Sequence, residues 1–299
     1  MTLFLDIQVY RERAVPVHPL DMLLIPLPNT DNPIHSPWTL ARILHPVTRM
    51  KVFLFDVFGT VVNWRATVSH ALYTTGQEAL ANKQTLSPTT RSKLTSMTLA
   101  DWQAVAADWR ASYHQFTRSY TPTHAPGSRD FVTVDQHHYH VLPDILAQHG
   151  LAEILPEDDA ARWHLVDVWH RLPPWPDSAA GLEQLNQPGH TRTSTLSNGN
   201  TRLLTDLARF GALPFQEILS AEHFGAYKPS ATVYQGAAQR LGLPPSQCVM
   251  VAAHLPDLQA AKQNGFRTVF VVREGEDTLV KGEVDGVDEV VTELTRISL

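Results

Sequence analysis

The chain has 299 residues, of which 43% are apolar and 18% are charged, and its net charge is −6 at pH 7. This composition is typical of a globular protein of one large or two modest domains, and the lack of a basic excess argues against nucleic-acid and membrane partners. The single cysteine, Cys248, excludes an internal disulfide and fits a reducing compartment, so we expect a cytoplasmic protein.

Residues 1–49 are rich in proline, which interrupts helices and central strands. Acidic and basic residues are balanced in this segment, whereas a transit peptide is basic and nearly free of acids, and no continuous apolar core of a signal peptide is present. We therefore expect a poorly ordered N-terminal extension. Met50, directly before the first convincing strand, is an alternative start.

The first strand is predicted at Lys51–Phe55, a short apolar and β-prone run that stops at Asp56. Gly59 then marks a loop. A run of this kind is typical of a buried parallel strand followed by a turn at its C-terminal end.

Residues from about 66 to 172 have a helical pattern and few strand signals. Trp102, Val105 and Trp109 recur at helical spacing, and a later helix is expected to stop at Gly150.

Strands and helices alternate in the second half of the chain. Strands are predicted at 193–196, 217–219, 248–252, 268–272 and 289–291. Helices are predicted after Asn200, which can cap the first of them, around 233–241, and around 258–265. Such alternation predicts an α/β fold with a doubly wound parallel sheet.

The economical architecture is an α/β core of residues 50–65 and 174–299, interrupted after its first strand by a helical cap of residues 66–173. Ligands of open parallel sheets bind at the C-terminal ends of the strands. This rule selects residues that follow predicted strand ends or lie in the loops beyond them: Asp56, Ser197, Lys228 and Asp257.

Each of these candidates has a structural alternative. Asp56 can be a nucleophile or a helix cap, and Lys228 can keep a neighbouring carboxylate ionised or be a solvated loop residue. The Ser197-Asn198-Gly199 tripeptide offers donors for an anion but also suits a turn, and Asp257 suits the N-cap of its helix.

The order of the motifs along the chain is more informative than any one of them. The chain carries Asp56-Val57-Phe58-Gly59-Thr60, Ser197-Asn198-Gly199, Tyr227-Lys228-Pro229 and His254-Leu255-Pro256-Asp257, together with Asp108-Trp109-Arg110 in the cap. In this order they resemble the haloacid dehalogenase superfamily, and most closely its type II 2-haloacid dehalogenase branch. The resemblance covers about residues 50–275 and implies a Rossmann-like core with an inserted helical cap.

The resemblance implies a role for each matching residue. Asp56 matches the nucleophile that displaces halide from C2 of a short acid and forms an ester, which water then hydrolyses. Lys228 matches the lysine beside it, and Asp257 matches a residue that orients the carboxylate network or the water. Ser197 and Asn198 match residues that hold the substrate carboxylate.

Three further positions match site residues of that branch, and three positions depart from it. Arg110 matches the arginine that receives the halide, and Thr60 and Tyr234 match a site threonine and a site tyrosine. His254 stands where some members have Asn, so we assign it to substrate binding. Phe58 replaces a tyrosine often found in the branch, and Ala252 stands where some members have Ser.

The resemblance leads us to expect a hydrolase that releases halide from short (S)-2-halo acids and needs no metal or other cofactor. An organic acid and halide are the expected ligands, and the resemblance also implies a possible homodimer, since exposed cap helices often mediate dimers in the family. The alternatives are a Mg²⁺-dependent phosphatase of the same superfamily, a relative recruited to a biosynthetic pathway, and a non-catalytic binding protein. Phe58 cannot act as the second acid of the phosphatases, and Asp257 lacks the adjacent acid that would help to hold Mg²⁺.

Overall fold

A computed structural model of the chain describes residues 50–82, 86–121, 131–155, 157–279 and 286–298. The predicted N-terminal extension lies outside these residues. Within them, no helix is both long enough and apolar enough to cross a membrane.

The core is a five-stranded sheet in which every neighbouring pair of strands is parallel. The strands are β1 (Lys51–Phe55), β2 (Thr191–Thr195), β3 (Cys248–Ala252), β4 (Arg267–Val271) and β5 (Glu289–Val291). Their order is β2-β1-β3-β4-β5, so β1 is flanked on both sides, and Phe55 pairs with Thr195 and Val251. The predicted α/β class with a parallel sheet is confirmed.

Nine helices are described in these ranges. They are α1 (Arg65–Asn82), α2 (Pro88–Ser96), α3 (Leu99–Ser119), α4 (Val134–Gln148), α5 (Asp159–Val166), α6 (Ser178–Leu185), α7 (Thr201–Phe210), α8 (Ala231–Leu241) and α9 (Leu255–Gln263). The first five lie between β1 and β2 in the chain and, with the short 3₁₀ helix that ends at His170, form the segment that we call the cap. The core and cap boundaries given above stay predictions.

The cap helices begin at polar residues that satisfy their first backbone N–H groups. Thr98 and Asp101 form a capping box at the start of α3, and Thr133 and Gln136 form another at the start of α4. The predicted apolar stripe of α3 is buried, and Trp109 packs edge-on against the buried Trp169. The buried aromatic residues of the cap are continuous with the core, because Trp169 also contacts Phe58 edge-on.

The strand predicted at 217–219 is wrong. Glu217 forms an isolated bridge with Ser194, but the hydroxyl of Thr195 bonds both the N–H and the carbonyl of Leu219 at 2.9 Å. Backbone bonds from the Thr195 N–H to the Glu217 carbonyl, at 3.2 Å, and from the Ser197 N–H to the Leu219 carbonyl, at 3.4 Å, remain. The N–H of Leu219 bonds a side chain instead, so the ladder is interrupted and only isolated bridges form. Strands β2 and β4 begin two residues and one residue before their predicted starts.

Asn200 stands at the N-cap of α7 as predicted, but its side chain does not cap the helix. Its amide Nδ2 instead donates to Asp135 Oδ2 on α4 at 2.9 Å. The buried ring of His170 lies between Asp135, at 3.2 Å, and Asp206 of α7, at 2.8 Å. These contacts join the cap to the core beside the strand ends.

The loop after β4 is joined to the loop after β1 by a buried arginine. Arg273 Nε donates to the carbonyl of Thr60 at 2.9 Å, and its two terminal nitrogens bond the Asp177 carboxylate at 2.8 and 3.0 Å. Asp177 also accepts the backbone N–H of Leu294 at 2.6 Å. Removing one partner of a buried ion pair leaves an uncompensated charge and is strongly destabilising.

We therefore predict that Arg273→Met lowers the free energy of unfolding by about 3 kcal/mol in urea titrations. The matched control is Arg296→Met, which removes an exposed ion pair of 4.0 Å and is expected to change stability by less than about 1 kcal/mol. Equal losses in the two variants would contradict a special contribution from the buried pair.

Candidate active site

Asp56 is the first residue after β1, an internal strand, at the edge of the sheet where the parallel strands end. Its N–H donates to the carbonyl of Val251 at 3.0 Å, which continues the contact between β1 and β3 by one residue. The chain then turns sharply, and Gly59 adopts φ +83°. Asp56 is therefore held by backbone on a rigid element and is not the cap of α1, which begins at Arg65.

Three side chains bond the carboxylate of Asp56. Lys228 Nζ donates to Oδ1 at 3.0 Å, while the Thr60 hydroxyl and His254 Nδ1 both lie 3.1 Å from Oδ2. Thr60 also accepts the N–H of Ala253 at 2.9 Å, so the loop after β1 is joined to the end of β3. One cation thus faces each carboxylate oxygen.

Lys228 bridges two buried carboxylates, because its ammonium also donates to Asp257 Oδ2. The hydroxyl of Tyr234 on α8 donates to the other oxygen of Asp257 at 2.7 Å. The predicted N-cap role of Asp257 is wrong: α9 is preceded by His254, and Asp257 lies within its first turn. Its carboxylate is used by Lys228 and Tyr234 instead.

Asn198 fixes the backbone of Lys228. Its amide oxygen accepts the Lys228 N–H at 2.7 Å, and its Nδ2 donates to the Lys228 carbonyl at 3.1 Å. Ser197 is buried, and its hydroxyl accepts the N–H of Gly199 at 3.3 Å, within its own loop.

A cavity of about 360 Å³ opens between the sheet edge and α3. Six of the predicted site residues line it: Asp56, Arg110, Asn198, Lys228, His254 and Asp257. The other three, Thr60, Ser197 and Tyr234, do not line the cavity but support its wall. The structure thus brings the sequence-predicted residues of core and cap to one place.

Arg110 supplies a buried cation from the cap. Its guanidinium lies 4.4 Å from the ring centroid of Tyr113 and 5.5 Å from that of Phe58. No carboxylate of the described residues pairs with it. A desolvated guanidinium in a cavity, held by aromatic faces alone, is suited to receive an anion.

Electrostatics keep Asp56 ionised. Burial alone would raise its pKa, but Lys228 and His254 outweigh burial and lower the pKa below its usual range. Burial lowers the pKa of Lys228, while Asp257 and Asp56 raise it, and the net change is upward. Asp257 has a raised pKa because it is buried near a second carboxylate, although Lys228 opposes this effect.

Sequence reasoning missed Glu276, which lies beyond β4. Its Oε2 lies 3.1 Å from His254 Nε2, and its Oε1 accepts from Trp64 Nε1 at 3.1 Å and from Arg65. Burial raises the pKa of Glu276, but His254 and Arg65 lower it to about 2. The feature of the sequence that is connected with this contact is Gly59, because a Cβ at that position would overlap the carboxylate of Glu276.

His254 consequently lies between two carboxylates. Burial lowers its pKa, but the hydrogen bonds and charges of Asp56 and Glu276 raise the pKa to about 9. The pKa of the neighbouring His114 is shifted in the opposite direction. Burial and the cations Arg110, His254 and Arg118 lower its pKa to about 3.

We predict a pH-dependent contribution of His254 to stability. Its folded pKa of about 9 exceeds its ordinary 6.5, so the stabilisation is complete below pH 6.5 and is lost as the pH rises through 9. We compare the free energies of unfolding of the wild type and His254→Asn in urea titrations. The advantage of the wild type should be larger at pH 6 than at pH 9.5, by up to about 3 kcal/mol. A difference that stays constant with pH would show that the imidazole is not charged in the folded protein.

Residues 50–265 match the family model of haloacid dehalogenase-like hydrolases. The (S)-2-haloacid dehalogenase 1 of Pseudomonas sp. strain CBS-3 is 36% identical over 111 residues, which make up 36% of this chain and 48% of that protein. The (S)-2-haloacid dehalogenase 4A of Burkholderia cepacia is 34% identical over 113 residues, or 37% of this chain and 48% of that protein. The chain spans about half the length of these curated relatives.

Solved structures are similar over a longer range. The crystal structure of an L-2-haloacid dehalogenase has 32% identity and a TM-score of 0.64, covering 82% of this chain and 96% of that one. A defluorinating L-2-haloacid dehalogenase has 31% identity and a TM-score of 0.65, covering 84% and 95%. The chain therefore belongs to the haloacid dehalogenase-like hydrolases, in the branch of the 2-haloacid dehalogenases.

Proposed function

We propose that this protein hydrolyses the carbon–halogen bond of short (S)-2-halo acids through an ester on Asp56. The observation that carries the proposal is the Asp56 carboxylate, bonded by Lys228 and His254, in the wall of a cavity that Arg110 also lines. No carboxylate of the described residues pairs with that guanidinium. A carboxylate is a competent nucleophile when it is ionised and positioned, and a cation opposite it stabilises a departing anion.

The charges of the site favour an anionic substrate. Three carboxylates, those of Asp56, Asp257 and Glu276, are matched by the cations of Lys228, His254 and Arg65. Arg110 remains as a further cation in the cavity, with no carboxylate partner among the described residues. The carboxylate of a 2-halo acid and the halide it releases are both anions that such a cavity attracts.

In the proposed first step, an oxygen of Asp56 forms a bond to C2 of the substrate as the carbon–halogen bond breaks. The halide leaves with the bonding electron pair towards Arg110. Lys228 and His254 keep Asp56 ionised until it reacts, and Asn198 keeps the Lys228 loop in place. Water then attacks the carboxyl carbon of Asp56 and releases the 2-hydroxy acid.

The Mg²⁺-dependent phosphatase is less well supported. A Mg²⁺ ion prefers free carboxylate oxygens, but Lys228 and His254 occupy the two sides of the Asp56 carboxylate with positive charge. Phe58 also cannot protonate the leaving alcohol of a phosphate ester. Both features favour displacement of halide.

We predict that the wild type releases halide from (S)-2-chloropropionate with and without EDTA, and that Asp56→Asn abolishes this release. The amide keeps the size of the side chain but is not a nucleophile. The control is Asp108→Asn, which changes an exposed carboxylate of the cap paired with His149 and is expected to retain activity. Fluoroacetate and the (R) enantiomer extend the assay, because the similar proteins include a defluorinating dehalogenase and an (S)-2-haloacid dehalogenase.

Halide release that persists in Asp56→Asn would contradict the nucleophile assignment, and phosphatase activity lost in EDTA would favour the alternative. Repeated turnover in ¹⁸O-labelled water distinguishes direct attack by water from ester formation. The label should enter the carboxylate of Asp56, where peptide mass spectrometry detects it. An unlabelled Asp56 would mean that water attacks the substrate itself.

We also predict that Arg110→Met lowers kcat for halide release by about 10²-fold or more, because the developing halide loses its cation. Methionine preserves the apolar contacts with Phe58 and Tyr113. The control is Arg202→Met, an exposed arginine on α7, with steady-state halide release as the measurement. Unchanged kcat in Arg110→Met would place the leaving group elsewhere.

A further inference from the structure

One face of α3 continues the cavity wall beyond Arg110. Arg110, His114 and Arg118 follow one another at intervals of four residues, and all three line the cavity. Side chains four residues apart lie on the same face of a helix, so these three, which we call the α3 row, are aligned along the helix axis. At a rise of about 1.5 Å per residue, the row extends for about 12 Å.

Exposure increases along the α3 row. Arg110 is buried, His114 is partly buried and Arg118 is exposed. The ring centroid of His114 lies 6.5 Å from that of His254, which bonds the Asp56 carboxylate. The row therefore leads from the reacting end of the cavity to its mouth.

The polar groups of the α3 row are available to a ligand. No carboxylate of the described residues pairs with either arginine, and no hydrogen bond within the described part of the chain reaches the ring nitrogens of His114. The lowered pKa of His114 keeps its ring neutral, so one nitrogen can donate and the other can accept.

The remaining wall offers little apolar surface to a hydrocarbon chain. Its apolar side chains are those of Ala111, Pro229 and Pro256, and the ring of Tyr113 is covered by Arg110 at 4.4 Å. Pockets that bind mostly apolar ligands are lined mainly by hydrophobic and aromatic side chains. The volume of about 360 Å³ also exceeds the needs of a three-carbon acid. Both features favour a longer substrate with a polar far end.

We propose that the substrates are 2-halo dicarboxylic acids and that the α3 row binds their second carboxylate. The inference rests on the proposed function and names its substrate class. C2 and the halogen lie between Asp56 and Arg110, and the chain of the substrate follows α3. The distal carboxylate accepts two parallel hydrogen bonds from the guanidinium of Arg118, and His114 donates a further one.

Two other features of the site bear on this assignment. Arg118 stands in the last turn of α3, where any cation interacts favourably with the helix dipole. Arg209 has the same position in α7 but does not line the cavity, so it separates the two roles. Asp277 also lines the cavity, with Oδ2 accepting the N–H of Leu255 at 2.8 Å, and would favour a distal ammonium group. One carboxylate against two arginines leaves the balance in favour of an anion.

The test compares three (S) substrates of equal chain length that differ in the charge of the far end. They are 2-chlorohexanoate, 2-chloroadipate and 6-amino-2-chlorohexanoate. We expect kcat/KM for halide release to be about 10-fold or more higher for 2-chloroadipate than for 2-chlorohexanoate, because the diacid gains charge-assisted hydrogen bonds. The amino acid should be no better than 2-chlorohexanoate. Added salt should reduce the preference for the diacid, since Arg118 is exposed.

Arg118→Met should lower the ratio of kcat/KM for the diacid to that for the monoacid to about one. The ratio is taken within each variant, so a change in folding affects both substrates and cancels. Arg118→Lys should restore part of the preference, because it restores the charge without the paired donors. The matched control is Arg209→Met, which should keep the wild-type ratio.

Calorimetry on Asp56→Asn measures binding without chemistry. Adipate, which carries no halogen, should bind about 10-fold more tightly than hexanoate, and Arg118→Met in the same background should remove the difference. Equal kcat/KM for diacid and monoacid, a preference for the ammonium group, or a diacid preference that survives Arg118→Met would each overturn the substrate class. All three leave the dehalogenase function standing.

A wild type that releases no halide from these substrates or from (S)-2-chloropropionate would instead overturn the proposed function. The calorimetry would then still decide whether the α3 row binds a carboxylate.

Discussion

The ammonium of Lys228, buried between the carboxylates of Asp56 and Asp257, is the interaction on which the site depends. Two carboxylates brought so close without a cation would repel each other, and one would take up a proton. A protonated Asp56 would be a poor nucleophile. The backbone that carries the ammonium is fixed by Asn198, because the side-chain amide of Asn198 accepts the N–H of Lys228 and donates to its carbonyl.

Because one ammonium faces two carboxylates, a second cation at Asp56 helps to keep that carboxylate ionised. Lys228 shares its charge between two carboxylates, so it neutralises neither completely. His254 compensates at the other oxygen of Asp56, and its own charge is balanced by Glu276 and then by Arg65. The result is an alternating row of charges that runs from α9 to the start of the cap. The members other than Arg65, which is partly exposed, are largely desolvated at a cost that their neighbours offset.

Much of the site follows from the sequence because the C-terminal ends of parallel strands meet at one edge. Asp56 and His254 each stand just beyond a strand whose apolar run is unmistakable, and the contact between them follows from the pairing of β1 with β3. The same rule selected Lys228, although the strand predicted before it, at 217–219, is wrong, and the order of the motifs is what supports that residue. Arg110 was placed by the resemblance, because no local rule brings a cap arginine into a core cavity.

The residues that were missed or misassigned are those whose partners are distant in the chain. Asp257 looks like an N-cap locally, but its carboxylate is claimed by Lys228 and Tyr234. Thr195 looks like an ordinary strand residue, yet its hydroxyl takes the N–H of Leu219 and so interrupts the ladder that would have made 217–219 a strand. Glu276 lies 212 residues from Trp64, and neither periodicity nor spacing connects them.

Gly59 shows how tightly these distant choices depend on one another. Its φ of +83° is required by the turn that follows the nucleophile, and its missing side chain leaves the space that the Glu276 carboxylate occupies. A histidine at position 254 with both nitrogens protonated requires an acceptor on its far side, and that acceptor requires the glycine. If His254 were replaced by a neutral amide, Glu276 would no longer balance a positive charge at position 254. Its buried carboxylate would then have only Arg65 and Trp64 as partners. The histidine, the glutamate and the glycine therefore form one unit, although they come from three separate loops at the edge of the sheet.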